Sequence, residues 1–257
     1  MRLDPKIFYM STDPIPPLLK EFGPQRIKAT PIAEAALTGM GIGAAGSGFR
    51  PIVDWRQVTF CFVAMDQIVN QAAKIHYMFG GQVKFPILFR ASVGGGGRIA
   101  AQHSQSPYSM FMNVAGLKMF LPSTPYDMKG LLKTAIRDNS PVISFESGRL
   151  MTHKGHVPDE DYAIPLGKAD VKREGSDVTV VALAWLVHEA LAAAETNGPA
   201  FDAPSPKKDT ATPPFPSICA ASPAPVTIAM PPATMPLAPS IPMSKSAICI
   251  DPPLPLQ

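Results

Sequence analysis

An acidic residue opens a segment that is otherwise small and apolar. Glu34 follows Thr30 and Pro31, a combination that resembles a helix start, and residues 35–46 carry no charge. A carboxylate in the first turn of a helix is stabilised by the helix dipole, which is the simplest structural explanation for Glu34. A carboxylate entering an apolar helix that is buried against a sheet is costly without a partner. We therefore treat Glu34 as a candidate functional carboxylate.

A histidine follows a run of glycines. His103 lies in the segment 101–106 (AQHSQS), shortly after four glycines at 94–97 that follow a predicted strand. Ligands of α/β proteins bind at the carboxyl ends of strands, so this loop is a candidate site. An imidazole placed there can transfer protons near neutral pH. The alternative, a surface histidine without a chemical role, carries equal weight on this pattern alone.

Two further patterns favour ordinary structure. Residues 41–46 (GIGAAG) match GxGxxG, but a dinucleotide site needs that motif directly after a strand. Here the preceding residues already predict a helix, so the small residues indicate close packing. A nucleotide-dependent oxidoreductase is the weaker alternative. His153 and His156 have no further Cys, Asp or Glu that completes a recognisable ligand pattern, so a solvated loop is favoured over a metal site.

These candidates need a scaffold, and the spacing of apolar residues predicts one. Strands are predicted at residues 7–10, 51–54, 85–90, 117–121, 142–146 and 178–183. Helices are predicted at residues 34–47, 62–77, 125–137 and 185–195. Strands that alternate with helices indicate an α/β fold with a mostly parallel sheet and helices on both faces.

Composition excludes several classes of protein. The net charge of +3 over 257 residues, without a Lys/Arg-rich run, argues against nucleic-acid binding. No stretch approaches the ~20 apolar residues of a membrane span, and the first residues lack the apolar segment of a signal peptide. The three cysteines form no CxxC pair. We expect a soluble protein of a reducing compartment, cytoplasmic or, in a eukaryote, in the mitochondrial matrix.

The prolines divide the chain into two parts. Sixteen of the 30 prolines lie between residues 199 and 257. Proline removes backbone donors and resists both helices and central strands. We therefore expect one folded domain at 4–197 and a disordered, Pro-rich tail at 198–257.

Seven blocks of sequence carry a family resemblance. They occur in order at residues 22–27 (FGPQRI), 30–34 (TPIAE), 62–74 (FVAMDQIVNQAAK), 101–106 (AQHSQS), 116–118 (GLK), 129–138 (KGLLKTAIRD) and 161–168 (DYAIPLGK). Together they resemble the beta subunit of the pyruvate, acetoin and branched-chain 2-oxoacid dehydrogenase first components, which contains a transketolase-like pyrimidine-binding domain. The resemblance runs from about residue 4 to residue 196.

The resemblance implies a thiamine diphosphate site shared by two subunits. In that family the beta subunit holds the aminopyrimidine ring, and the alpha subunit holds the diphosphate and its divalent metal. Glu34 matches the glutamate that hydrogen-bonds N1′ of the pyrimidine, and Phe60 matches the aromatic residue near that ring. His103 matches the active-site histidine that assists proton transfer and acyl transfer to lipoamide. The implied function is the oxidative decarboxylation of a 2-oxoacid, as in pyruvate dehydrogenase.

The resemblance also implies a structural monovalent cation, such as potassium, and several partners. The cation is held mainly by backbone carbonyls, at positions that correspond here to Ile87, Ala135, Ile136, Asp138 and Ser140. Hard oxygen ligands suit such an ion, although Ser140 stands where asparagine is commoner. The implied partners are the alpha subunit, a second beta subunit, the lipoyl acyltransferase core and the 2-oxoacid substrate.

The chain departs from the family near Asn197. Relatives continue after the predicted strand at 178–183 into a C-terminal α/β domain, whereas here the Pro-rich segment follows. A frameshift or a mis-predicted gene would explain such a switch. The alternative function is therefore a truncated or frameshifted remnant of the subunit, without catalytic activity.

Overall fold

A computed structural model describes residues 1–94, 99–176 and 178–196. The predicted tail at 198–257 lies outside the described residues, as do residues 95–98 of the glycine-rich loop. The limits of the folded domain, 4–197, stay a prediction.

Six parallel strands form one sheet in the order β2-β1-β3-β4-β6-β5. The strands are β1 (Ile7–Ser11), β2 (Ile27–Ala29), β3 (Arg50–Gln57), β4 (Leu88–Val93), β5 (Lys118–Phe120) and β6 (Val142–Ser147). The α-helices are α1 (Pro16–Phe22), α2 (Glu34–Gly46), α3 (Ile75–Met78), α4 (Pro125–Arg137) and α5 (Leu186–Thr196). The predicted α/β class, with a parallel sheet between helices, is confirmed.

Alternate residues of the strands build a separate core on each face of the sheet. Val53, Phe89 and Ile143 face α2 and the segments Val58–Ala64 and Asp66–Ala72. Ile52, Leu88 and Val142 face α1 and α4. Because side chains alternate along a strand, the central strands are apolar on both faces, as a sheet covered on two sides requires.

Helix α2 lies close to the sheet because it presents glycine to it. A Cβ atom added to Gly41 would lie 2.6 Å from Val53 Cγ2 and 3.0 Å from Ile87 Cδ1. The GxGxxG pattern at 41–46 therefore lies inside a helix, as its context predicted. Its small residues serve helix–sheet packing.

The helix predicted at 62–77 is not one regular α-helix. The chain forms a 3₁₀ segment, Val58–Ala64, then a π segment, Asp66–Ala72, and only then the short helix α3. The apolar residues are buried as the helical spacing requires, but the hydrogen-bond ladder shifts twice. Single π turns of this kind often occur at functional sites.

Three other local predictions need correction. Residues 178–183 form no strand, because only Val181 makes a bridge and Val178 is 71% exposed. Thr30 does not cap α2, which begins at Glu34 after Ala33 without a side-chain cap. The predicted strand at 85–90 is displaced, since β4 begins at Leu88. Helix α1 and strand β2 were not predicted.

A capping box starts α4 at the carboxyl edge of the sheet. Thr124 Oγ1 accepts a hydrogen bond from the Asp127 N–H at 3.1 Å, and Asp127 Oδ2 accepts bonds from Ser123 Oγ at 2.7 Å and Thr124 N at 3.0 Å. Burial alone would raise the pKa of Asp127, but these bonds and Lys172 lower it below its ordinary value. The ionised carboxylate is therefore the form that the fold favours.

We expect Asp127→Ala to lower the free energy of unfolding by about 1–2 kcal/mol at neutral pH. A carboxyl group with a lowered pKa in the folded state stabilises the fold above its unfolded pKa and loses this contribution as the pH falls through its folded pKa. The difference between wild type and variant should therefore shrink below about pH 4. Urea titrations between pH 3 and pH 7 measure it, with the exposed Asp159→Ala as the control. A difference that does not change with pH would contradict the ionic part of this prediction.

Candidate functional site

The carboxyl ends of the parallel strands define the candidate site. Strands β1, β2, β3 and β4 end at Ser11, Ala29, Gln57 and Val93. Because all pairings are parallel, the loops that follow these strands emerge at one edge of the sheet. Glu34, Phe60 and His103 all lie on chain segments that follow strands at this edge.

Glu34 is a buried carboxylate in the first turn of α2. It is 8% exposed, and among the described residues it has no hydrogen-bond or ion-pair partner. The start of a helix favours a negative charge, which compensates part of its desolvation. A buried carboxylate without a partner in the described part of the chain is suited to a donor or a protonated ring nitrogen supplied by a ligand.

Phe60 and His103 are in contact. Their ring centroids are 5.3 Å apart and the rings meet edge to face at 86°. The neighbouring residues also join the two segments, because the hydroxyl of Thr59 donates to the carbonyl oxygen of Gln102. Both rings are half-buried. The Val58–Ala64 segment that carries Phe60 also packs against α2, which begins with Glu34.

Gly94 explains why His103 can lie so close to the end of β4. A Cβ atom at residue 94 would meet the carbonyl oxygen of His103 at 1.5 Å. Only glycine allows the two backbones to approach in this way. The first glycine of the run therefore places the histidine segment against the sheet.

Two more polar groups at this edge were missed by sequence reasoning. Thr30 Oγ1, after β2, and Gln57 Oε1, at the end of β3, are buried and have no hydrogen-bond partner within the described part of the chain. Such orphaned groups are rare in folded proteins and need an explanation, for which a ligand is one candidate. The signal available in the sequence was their position, directly at the ends of strands.

A polar network crosses four neighbouring strands on the face that α1 and α4 cover. Tyr9 Oη donates to Asp54 Oδ2 at 2.7 Å. Arg90 forms a bidentate pair with Glu146, at 2.6 and 2.7 Å, and Ser144 Oγ donates to the same carboxylate at 3.0 Å. Burial and the Asp54 carboxylate raise the pKa of Tyr9. Burial disfavours the charge of Arg90, but Glu146 more than compensates and raises its pKa.

The residues predicted to hold a monovalent cation lie at the opposite, amino-terminal edge of the sheet. Ile87 directly precedes β4, and Ala135 and Ile136 lie in the last turn of α4. Asp138 and Ser140 follow that helix. The guanidinium of Arg50 donates to the carbonyl oxygens of Ile136 at 3.0 Å and Asp138 at 2.9 Å. Two of the proposed ligands thus already face a positive charge. The structure does not bring this set near Glu34.

Metal and membrane features can be stated for the described residues alone. Within residues 1–94, 99–176 and 178–196, no group of three or more His, Cys, Asp or Glu side chains could hold a metal ion. His153 instead packs against His188, with ring centroids 4.3 Å apart. In the same part of the chain, no helix has the length and apolar character needed to cross a bilayer.

A solved structure shares the fold. The structure titled "Split gene transketolase, inactive beta4 tetramer" superimposes with a TM-score of 0.61 over 76% of this chain and 62% of that chain, at 24% sequence identity. At this identity the likeness establishes the fold alone.

Two curated proteins of Bacillus subtilis (strain 168) are similar to this chain in sequence. The beta subunit of acetoin:2,6-dichlorophenolindophenol oxidoreductase is 50% identical over 177 residues, which are 69% of this chain and 52% of that protein. The beta subunit of 2-oxoisovalerate dehydrogenase is 50% identical over 179 residues, 69% of this chain and 55% of that protein. The chain thus spans about half the length of the curated relatives it matches.

A family model identifies the matched region. The model described as "Transketolase, pyrimidine binding domain" matches residues 15–154, which include Glu34, Phe60 and His103. This range covers β2 to β6, and so the carboxyl ends of all the strands except β1. The resemblance stated from the sequence is confirmed, and this chain belongs to the transketolase pyrimidine-binding domain family.

Proposed function

We propose that this chain supplies the pyrimidine-binding half of a thiamine diphosphate site in the first component of a 2-oxoacid dehydrogenase. The observation that carries the proposal is the buried carboxylate of Glu34, which has no partner among the described residues. It begins the helix that packs against the segment of Phe60, and Phe60 in turn contacts His103. The 50% identity to beta subunits of such enzymes supports it. An alpha subunit would complete the site with the diphosphate and its metal.

The residues at the carboxyl edge fit the pyrimidine end of this cofactor. When bound, thiamine diphosphate supplies a carbon nucleophile that also accepts the electrons released by decarboxylation. The carboxylate of Glu34 would hydrogen-bond N1′ of the ring and hold a proton at that atom. A charge-assisted bond of this type is roughly twice as strong as a neutral one.

We infer distinct roles for the other two residues. Phe60 offers a flat apolar ring for the aminopyrimidine to pack on, and its edge contact fixes the imidazole of His103. His103 lies on a half-buried segment, where an imidazole can exchange protons with the substrate and with solvent. Its proposed task is to assist proton transfer and acyl transfer to a lipoyl group.

The family resemblance implies three proposed partners. They are an alpha subunit, a second beta subunit and a lipoyl acyltransferase core. The relatives at 50% identity act, by their names, on acetoin and on 2-oxoisovalerate. Because the identity to both is 50%, the proposed substrates are a branched-chain 2-oxoacid, a pyruvate-type 2-oxoacid and acetoin alike.

For the monovalent cation, we propose that potassium shares the carbonyls of Ile136 and Asp138 with Arg50. A carbonyl oxygen has two lone pairs, so one remains after the bond from the guanidinium. Melting curves in potassium chloride and in choline chloride would test this. Identical melting temperatures would count against the site.

The proposed function is tested by co-expression with an alpha subunit of a 2-oxoacid dehydrogenase. We expect the two chains to purify together and to reduce 2,6-dichlorophenolindophenol in the presence of pyruvate, 2-oxoisovalerate or acetoin. Activity should require added thiamine diphosphate and magnesium, and reactions without either are the control. A stable complex without turnover on any of the three substrates would favour the alternative, a non-catalytic remnant of the subunit.

A further inference from the structure

A bulge lies at the end of β3, just before the segment that carries Phe60. Asp54 pairs with Arg90 and Gln57 pairs with Ser92, so β3 has one residue more than β4 over this interval. Within it, Arg56 has a φ of 65°. A non-glycine residue in this left-handed region is strained, so other contacts must hold it there. Bulges next to active sites commonly redirect a side chain.

The carboxylate of Asp54 holds the bulge. Its Oδ1 atom accepts a hydrogen bond at 2.8 Å from the backbone N–H of Arg56, the left-handed residue itself. Its Oδ2 atom accepts the hydroxyl of Tyr9 at 2.7 Å, which fixes the carboxylate from the neighbouring strand β1. Asp54 is 7% exposed, so water does not compete effectively for these bonds.

Trp55, which lies between Asp54 and Arg56, connects the bulge to α2. Trp55 Nε1 donates to Thr38 Oγ1 at 2.8 Å, and the indole stacks on Phe89 with ring centroids 5.0 Å apart. Thr38 lies one helical turn after Glu34, on the same face of α2. Trp55 therefore links the bulge, which directly precedes the segment of Phe60, to the helix that begins with Glu34.

We propose that Asp54 is a positioning residue, which sets Phe60 relative to Glu34 by holding Arg56 in the left-handed conformation. The inference rests on the proposed function, because it assigns a role in the same pyrimidine site. It predicts that the backbone at residue 56, rather than the charge at residue 54, is what the site requires.

Variants of the full chain distinguish a role of the backbone at residue 56 from a role of the charge at residue 54. Asp54→Ala removes the acceptor for Arg56 N–H, whereas Asp54→Asn keeps an oxygen there. Arg56→Gly makes a positive φ free of strain, so the double variant Asp54→Ala/Arg56→Gly should restore the bulge without the carboxylate. Arg56→Gly also removes an ion pair with Asp13, at 3.1 Å between exposed side chains, and Asp13→Ala is its control.

The first measurement uses the chain without cofactor or partner. In a Trp185→Phe background, Trp55 is the single tryptophan, and it is 2% exposed. We expect acrylamide quenching of its fluorescence to rise severalfold in Asp54→Ala and to return toward the wild-type value in Asp54→Asn and in the double variant. Unchanged quenching in Asp54→Ala would overturn the proposal, whatever the activity of the assembled enzyme.

The second measurement uses each variant assembled with the alpha subunit. Loss of one buried hydrogen bond corresponds to about a 10-fold change in an equilibrium constant. We expect the KM for thiamine diphosphate to rise about 10-fold in Asp54→Ala, with a smaller change in kcat, and to recover in the double variant. A folded double variant that is no better than Asp54→Ala would refute the role of Arg56. Absence of cofactor dependence in the wild type would instead refute the proposed function.

Discussion

Replacing Glu34 with glutamine should lower the turnover of the assembled alpha–beta enzyme by ~10²–10⁴-fold. The amide has nearly the same size and can still hydrogen-bond a ring nitrogen. It cannot carry the negative charge or hold an exchangeable proton at N1′. The measurement is the rate of 2-oxoacid decarboxylation per assembled site at saturating thiamine diphosphate, with the exposed Glu189→Gln as the matched control.

The same substitution should behave differently in the free chain. Glu34 is buried and has no partner among the described residues, so its charge costs desolvation energy in the absence of a ligand. We expect Glu34→Gln to leave the free energy of unfolding unchanged or to raise it by up to about 1 kcal/mol. A variant with normal turnover but a loss of stability would mark Glu34 as a structural residue.

Gly41→Ala should destabilise the fold by about 1–3 kcal/mol, because the added methyl group enters a packed interface. The new Cβ atom would lie 2.6 Å from Val53 Cγ2 and 3.0 Å from Ile87 Cδ1. Both neighbours are fully buried and branched, so neither can swing aside without disturbing the core. Urea unfolding followed by far-UV circular dichroism measures the effect.

Gly43 provides the control on the same helix. A Cβ atom at this position meets nothing within 4 Å. Alanine is a better helix former than glycine, so Gly43→Ala should stabilise the chain by about 0.5–1 kcal/mol. Opposite signs for the two alanine substitutions are the expected result. Equal destabilisation by both would contradict the assignment of these glycines to packing.

Periodicity predicted the layers of this fold but not its irregular parts. The apolar runs at residues 51–54 and 142–146 lie within β3 and β6, because buried central strands need apolar residues on both faces. Strand β2 has only three residues and is defined by its pairing with β1, which local sequence does not reveal. Residues 178–183 show the converse, because this β-rich run forms only a single bridge, at Val181, in the described part of the chain.

The chemistry of the site was only partly accessible from the sequence. Glu34 was recognisable as a charge entering an apolar helix, and the glycines before His103 marked the end of a strand. The contact between Phe60 and His103 depends on where two loops meet in space. The role of Asp54 depends on a backbone angle at Arg56, and no residue preference predicts a positive φ for arginine.

The strand order also determines which strands can pair while the chain is still being synthesised. Each strand from β2 to β4 can pair with a strand already made, but β5 pairs only with β6, which follows it in the chain. Residues 118–120 must therefore wait until residues 142–147 have been synthesised. Until then β4 is an open edge that offers unpaired backbone groups to other chains. During synthesis, this open edge makes the nascent chain prone to aggregation until β6 has been made.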